Sequence, residues 1–291
     1  MAQAVKRKLV VCGGNGFLGS RICKAATARG WQVTSISRSG EPTWSSVTSS
    51  PDPPPWSQSV SWQKGDILNP TSYTSHLEGA DAVVHSMGIL LEADYKGVLQ
   101  GKESIVSGLQ RAFSSTKGGS QNPLDRKEGE PLKPQEKDGQ LTYELMNRDS
   151  AIGLAKEASA HKVPSFLYIS AAGGAPILPG RYITSKREAE ATITAAFPSM
   201  RSIFIRSPFL YDSSRGFTVP MAAITGMGAM ANSLVGGKLT WLMGAGGIKP
   251  LKADTVSEAC VEALEDSAVK GPVEVPEIEA LGTKAWRKGM L

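Results

Sequence analysis

Residues 9–22, LVVCGGNGFLGSRI, run from an apolar, β-branched stretch through four glycines in seven positions into a helix-like pattern. That order constrains the fold strongly, because a strand that turns on glycines straight into a helix is how a βαβ unit begins. VKRKLVVC reads as the strand. FLGSRICKAATARG reads as the helix, with Leu18, Ile22, Ala25 and Ala26 on one face and Gly30 as its stop. The alternation continues. WQVTSISRS predicts a second strand, VSWQKGDI a third, ADAVVHSMGI a fourth, VPSFLYISAA a fifth and SIFIRSPFL a sixth. Strands alternating with helices imply a parallel sheet covered on both faces. The expected fold is therefore α/β, a Rossmann-like doubly wound parallel sheet over residues 1–210. Residues 211–291 form a small C-terminal, substrate-side segment packed into the same unit.

Two stretches interrupt this rhythm. Residues 39–59 are rich in serine and proline and read as an extended surface loop, anchored by Trp31, Trp44, Trp56 and Trp62 around the second and third strands. Residues 92–140 form an insertion whose second half, 114–140, holds only Leu124 and Leu132 as large apolar residues. Such composition does not offset the entropy of ordering, so a mobile segment is expected there.

A net charge of +5 spread along 291 residues, with no basic run longer than Lys6-Arg7-Lys8, speaks against a nucleic-acid partner. Cys12, Cys23 and Cys260 are odd in number and widely spaced, which indicates neither a disulfide framework nor a metal site. The first strand begins within a few residues of Met1, leaving no room for a signal peptide. Residues 217–237 carry no charge, but four glycines and a proline dilute them. A buried or surface-docked Met-rich helix is expected there rather than a membrane span.

Gly14-x-Gly16-x-x-Gly19, preceded by Gly13, fits a dinucleotide-binding turn. Gly14 would allow the tight turn, Gly16 the approach of a pyrophosphate and Gly19 close packing of helix on strand. Asn15, Phe17 and Leu18 complete the turn and open the helix, whose N–H groups would face the phosphates. A glycine turn between strand and helix can also be purely structural. NAD sites usually place an acid at the end of the second strand, and this chain has Ser37-Arg38 there. A guanidinium can pair with a 2′-phosphate, so NADP(H) is favoured over NAD(H). Asp66 follows the third strand, where it would accept from the adenine amino group while Ile67 packs on the ring. The plainer alternative is an Asp opening the turn before Asn69-Pro70.

Tyr182 and Lys186 stand four apart in GRYITSKREAEATI and so share a helix face. A lysine ammonium beside a phenol favours the phenolate, and a phenol so tuned exchanges a proton with a carbonyl or alcohol. Ser170 lies twelve residues upstream at the end of the fifth strand, where its hydroxyl would hold the substrate oxygen.

In that order the motifs GGNGFLG, GDI, VVHSMG, YELMNRDSAIGLAKEA, YISAAGG, YITSK and IRSPFLY resemble those of the short-chain dehydrogenase/reductase superfamily, in its extended and atypical branches. The resemblance implies that His85, Ser86 and Gly88 line the cofactor after the fourth strand, and that Lys186 also contacts it. It implies that Asn147 supports the active-site water or lysine, and that Arg206 and Pro208 follow the sixth strand. VPSFLYISAAGG, YITSKREAEATI and IKPLKADTVSEACVEAL are also similar to mitochondrial atypical members associated with coenzyme Q biosynthesis and respiratory complex I. That similarity implies a place at the matrix face of the inner membrane, a quinone-like small molecule and a membrane-associated protein complex as partners. SAAGG at the fifth strand leaves Ser170 alone to polarise a carbonyl. Two function classes follow: an NADP(H)-dependent oxidoreductase, or a nucleotide-stabilised assembly factor or accessory subunit.

Overall fold

The computed structural model describes residues 6–89, 121–134, 141–173, 180–212 and 248–290. The uncharged stretch 217–237 and much of the 92–140 insertion lie outside these residues. Seven strands form one parallel sheet: β1 (Lys8–Cys12), β2 (Gln32–Ser37), β3 (Val60–Lys64), β4 (Ala82–His85), β5 (Ser165–Ala171), β6 (Arg201–Ser207) and β9 (Gly271–Val273), in the order β3-β2-β1-β4-β5-β6-β9. β7 (Leu210–Tyr211) and β8 (Leu251–Lys252) pair as a separate parallel ribbon. The chain winds outward from β1 in both directions. The point where its direction reverses, between β1 and β4, is where such sheets leave a crevice for a ligand.

Helices cover both faces. One half of the core packs α1 (Phe17–Ala28) and α5 (Ala253–Glu265) on Leu9, Val11, Val84, Leu167, Ile203 and Ile205. The other half packs α3 (Ser150–Ala160) and α4 (Gly180–Ala196) on Val10, Val83, Phe166, Tyr168 and Phe204. The alternation of a strand decides which side chain faces which layer. Trp44, in the short helix α2 (Trp44–Val47), meets Trp56 and Trp62 edge-on at 5.6 and 5.7 Å, closing the Ser/Pro loop on itself. Trp31 stands apart, under the Arg7 guanidinium and donating to Glu265.

The C-terminal segment contributes to the main sheet through β9. α6 (Val275–Lys288) packs on α5 and starts with a capping box between Glu274 and Glu277. Arg29, which caps the C-terminus of α1, reaches Glu258, Glu262 and Glu265 of α5 at 2.8–3.3 Å. The sequence pattern passed over β9, because three residues reading Gly-Pro-Val carry no strand signature.

The described part of the insertion, 121–134, also departs from expectation. Residues 121–134 are docked on α3 rather than mobile. The side chain of Arg126, 2% exposed, pairs with Glu157 at 2.8 Å and donates to the Glu130 carbonyl. Lys156 donates to the Leu124 and Arg126 carbonyls, and Leu132 is buried with its N–H on Leu68 O. One buried ion pair and one apolar plug hold a segment that composition alone marks as loose.

Candidate functional site

The site is built from strand ends and helix starts around the reversal between β1 and β4. The positive-φ residue of the glycine turn is Gly13 (φ 90°), not Gly14; its N–H bonds to Ile36 O, and its carbonyl accepts from Gly16 N–H. Gly14 serves packing. A Cβ there would sit 2.3 Å from Ser35 Oγ and 3.0 Å from Cys23 Sγ, so only glycine lets β2 and α1 close over it. A Cβ at Gly19 would lie 2.2 Å from Gly13 O and 2.7 Å from Ser86 Oγ. Around Gly16, the residue that caps α1, a Cβ would meet only Gly13 O at 3.2 Å. The turn therefore leaves room at Gly16 beside the first N–H groups of α1, a cradle into which a pyrophosphate fits. Leu18 is buried in the core, and the Phe17 ring lies under the Arg21 guanidinium at 4.4 Å.

At the end of β2 the Ser37 hydroxyl donates to Gly40 O, closing a turn that presents the next two residues outward. Arg38 is exposed, and no ion pair holds it among the described residues. Asn15 of the glycine turn donates to Ser39 Oγ at 2.7 Å, tying the phosphate cradle to this turn. Sequence reasoning missed Ser39; its place directly after Ser37-Arg38 was the available signal. Asp66 accepts the Leu68 N–H at 3.0 Å, the local turn that the plainer reading anticipated. Ile67 is 4% exposed and packed in the core, so it offers no free face to an adenine ring.

After β4, the Ser86 hydroxyl donates to Cys12 O beneath the glycine turn. The His85 side chain faces the other way, into the core, edge-on to Tyr168 at 5.4 Å, rather than lining the crevice. Ser150 donates its proton to Met146 O at 2.7 Å, so it accepts from His85 Nε2–H at 2.9 Å. His85 Nδ1 is left buried without a partner among the described residues. Burial, with the Lys186 charge nearby, holds this imidazole down at about 3, so it is neutral throughout the physiological range.

Gly88 stands over the catalytic candidates, its Cβ position 2.9 Å from Asn147 Oδ1 and 3.6 Å from Lys186 Nζ. Asn147 lies in a π-helical stretch, Glu144–Asp149, and its amide clasps Ile89 through both N–H and C=O. Lys186 is buried and donates to Ile169 O at 3.0 Å and Tyr168 Oη at 3.4 Å. Tyr182 is half-buried, with Lys186 Nζ 5.7 Å from its ring centre. The pair shares a helix face as expected, but the expected drop in the phenol pKa is absent. Burial pushes Tyr182 up to about 12, with Arg187 opposing, and burial takes Lys186 down to about 7 against the pull of Glu190. The phenol is consequently a proton donor near neutrality.

Ser170 is drawn into a different cluster. Its hydroxyl donates to Glu190 at 2.5 Å and accepts from Arg187 at 3.0 Å. Glu190 is bound in turn by Arg206, the register partner of Ser170 on β6, which also reaches Glu274. With its proton on a buried carboxylate, Ser170 acts here as a strut between β5, β6 and α4. Among the described residues there is no group of side chains able to hold a metal ion.

A parallel sheet wound outward from a glycine turn, with a Tyr-Lys pair at the reversal, defines a dinucleotide-binding α/β protein of the Rossmann type. Residues 9–94 match the NAD dependent epimerase/dehydratase family. A Saccharomyces cerevisiae protein, MIOREX complex component 2, is 37% identical over 289 residues, which span 93% of this chain and 98% of that one. The chain belongs to this family, among the extended short-chain dehydrogenases/reductases. Its fold is similar to that of vestitone reductase from alfalfa (TM-score 0.52, 18% identity, 92% of this chain and 76% of that one). It is equally similar to a Bacillus cereus UDP-glucuronic acid 4-epimerase solved with NAD (TM-score 0.52, 17% identity, 92% and 78%).

Proposed function

We propose that this chain binds NADP(H) in preference to NAD(H). We propose further that it takes part in ubiquinone biosynthesis in the mitochondrion, as an oxidoreductase on a carbonyl, hydroxyl or quinone-related intermediate. The observation that carries the nucleotide reading is the exposed Arg38, without an ion pair among the described residues, on the turn that Asn15 ties to the phosphate cradle. Ser39 Oγ lies beside it as a second ligand for a 2′-phosphate. The pathway and the compartment rest on the resemblance of YITSKREAEATI and its flanking motifs to mitochondrial members of the superfamily.

Gly16 and the start of α1 would hold the pyrophosphate, and Lys186 the sugar below Gly88. A bound nicotinamide supplies or accepts hydride. Tyr182, protonated near neutrality, gives its proton to the carbonyl oxygen as that oxygen gains charge. Lys186 stabilises the phenolate left behind.

The test compares NADPH and NADH binding to the full chain and to Arg38→Ala. One charge-assisted contact is worth about 1.5–3 kcal/mol, so NADPH affinity is expected to fall about ten- to hundredfold. NADH affinity is expected to stay within about twofold by the same arithmetic. Equal loss for both nucleotides would refute the preference.

A second reading has its own support. With its hydroxyl bound to Glu190 and Arg187, Ser170 is not offered to a substrate oxygen, which leaves Tyr182 alone of the two expected groups. The yeast relative, moreover, is named as a component of a complex. In that reading bound NADP(H) stabilises an assembly factor or accessory subunit of an inner-membrane complex by mass action. Tyr182→Phe separates the two, because it abolishes NADPH oxidation by quinone-pathway intermediates in the first and leaves complementation of a deletion strain unchanged in the second.

A further inference from the structure

Tyr168 is fully buried at the centre of β5, on the face shared with Phe166 and Ser170. Phenylalanine would fill that volume, so the hydroxyl calls for a separate account. It donates to the Asn147 backbone carbonyl at 2.5 Å and accepts from Lys186 Nζ at 3.4 Å, while the ammonium sits 5.0 Å from the centre of the Tyr168 ring. Asn147 belongs to the π-helical stretch before α3, a form that recurs as single bulges at functional sites.

A phenol has one proton. Because Tyr168 gives it to Asn147, the oxygen offers Lys186 only lone pairs. A lone pair supports an ammonium more strongly than an amine. Two acceptors, Tyr168 Oη and Ile169 O, thus fix Nζ from the sheet side, leaving the remaining N–H for the crevice below Gly88. Among the other groups around Lys186, Glu190 pulls toward the cation while its neighbours do not. His85 of β4 is neutral and Tyr182 of α4 is uncharged near neutrality. Arg187 of α4 opposes its charge, and Glu190 is already bound by Arg187 and Arg206. In the π-helical stretch Arg148 pairs with Asp149 and with Glu188 of α4.

We propose that Tyr168 is a positioning residue for Lys186: held by the Asn147 carbonyl, its hydroxyl fixes the ammonium beneath Gly88 and keeps it charged. The consequence for nucleotide binding rests on the reading given above, in which Lys186 contacts the bound dinucleotide. Burial, opposed by Glu190 and reinforced by Arg187, brings Lys186 to the edge of neutrality at physiological pH, so the loss of one acceptor at the geometry described has a visible effect.

The experiment follows Lys186 directly in the nucleotide-free full chain, by a pH titration of 13Cε-labelled lysines in NMR, with Lys186→Arg to assign the resonance. In Tyr168→Phe the Lys186 midpoint is expected to fall by about one pH unit, a tenfold change in the ammonium-to-amine ratio. Tyr73→Phe, at another buried tyrosine outside the site, is expected to leave the midpoint in place. If Tyr168→Phe does not fold, 3-fluorotyrosine at position 168 preserves the packing. Its poorer acceptor oxygen should move the midpoint in the same direction by less. NADPH affinity at pH 7 is expected to drop about fivefold in Tyr168→Phe, as the charged fraction of Lys186 falls, and to recover as the pH is lowered and the lysine recharges. An unchanged Lys186 midpoint in both variants overturns the proposal. A midpoint that moves in a chain that binds no nucleotide supports Tyr168 as the positioning residue and refutes the nucleotide reading instead.

Discussion

Gly16 and Gly19 lie three residues apart in the same turn, and the structure predicts different consequences for adding one methyl group to each. At Gly19 a Cβ would stand 2.2 Å from Gly13 O and 2.8 Å from Gly13 C, both backbone atoms that cannot swing aside. Ordinary contact begins at 3.4 Å, so the start of α1 must retreat by about 1 Å from the turn. Overpacking of that kind costs about 1–3 kcal/mol of stability. The retreat also withdraws the helix N–H groups from the phosphates. Losing one or two charge-assisted hydrogen bonds, at about 1.5–3 kcal/mol each, weakens nucleotide binding by at least tenfold. At Gly16 the same methyl meets only Gly13 O at 3.2 Å and needs a shift of a few tenths of an ångström. Stability should change by less than about 1 kcal/mol, while the methyl fills the room a phosphate oxygen needs. Urea unfolding with and without NADPH, together with calorimetric affinities, measures both effects. Gly19→Ala should lose stability and binding together, and Gly16→Ala binding alone. If Gly16→Ala binds NADPH as the wild type does, the turn is a structural device and the cradle argument fails.

Removing the carboxylate partner of Arg126 by Glu157→Gln strands a buried guanidinium and should cost about 3–5 kcal/mol in urea unfolding. New protease cleavage within 121–134 should accompany it, whereas replacing both partners with apolar residues should restore much of the loss. His85 gives a pH signature. Its folded-state value near 3 lies below the ordinary 6.5, so the unfolded chain takes up a proton that the folded chain refuses. Stability therefore falls as the pH drops from about 6.5 toward 3. His85→Gln should flatten that limb, as read from unfolding free energies at successive pH values; an unchanged slope would show that the imidazole is not held neutral.

The strand–helix alternation, the glycine turn and the Tyr182–Lys186 spacing were readable from the sequence because each is a local pattern: period two, period 3.6, or residues that must fit within one turn. Local pattern placed β1 to β6 within a few residues and set Gly13, Gly14, Gly16 and Gly19 at the start of α1. Tertiary structure decided everything that depends on what lies across the fold. Gly13 rather than Gly14 carries the positive φ because Ile36 and Gly16 claim its backbone groups. Ser170 became a strut because β6 brings Arg206 beside it in register and α4 places Glu190 over it. Residues 121–134 are ordered because Glu157, far along the chain, supplies the charge that Arg126 needs in a buried place. The titration of Tyr182 and Lys186 runs against the expectation from their spacing for the same reason. Sequence separation sets which groups share a helix face, but burial and the charges of other elements set which of them holds the proton.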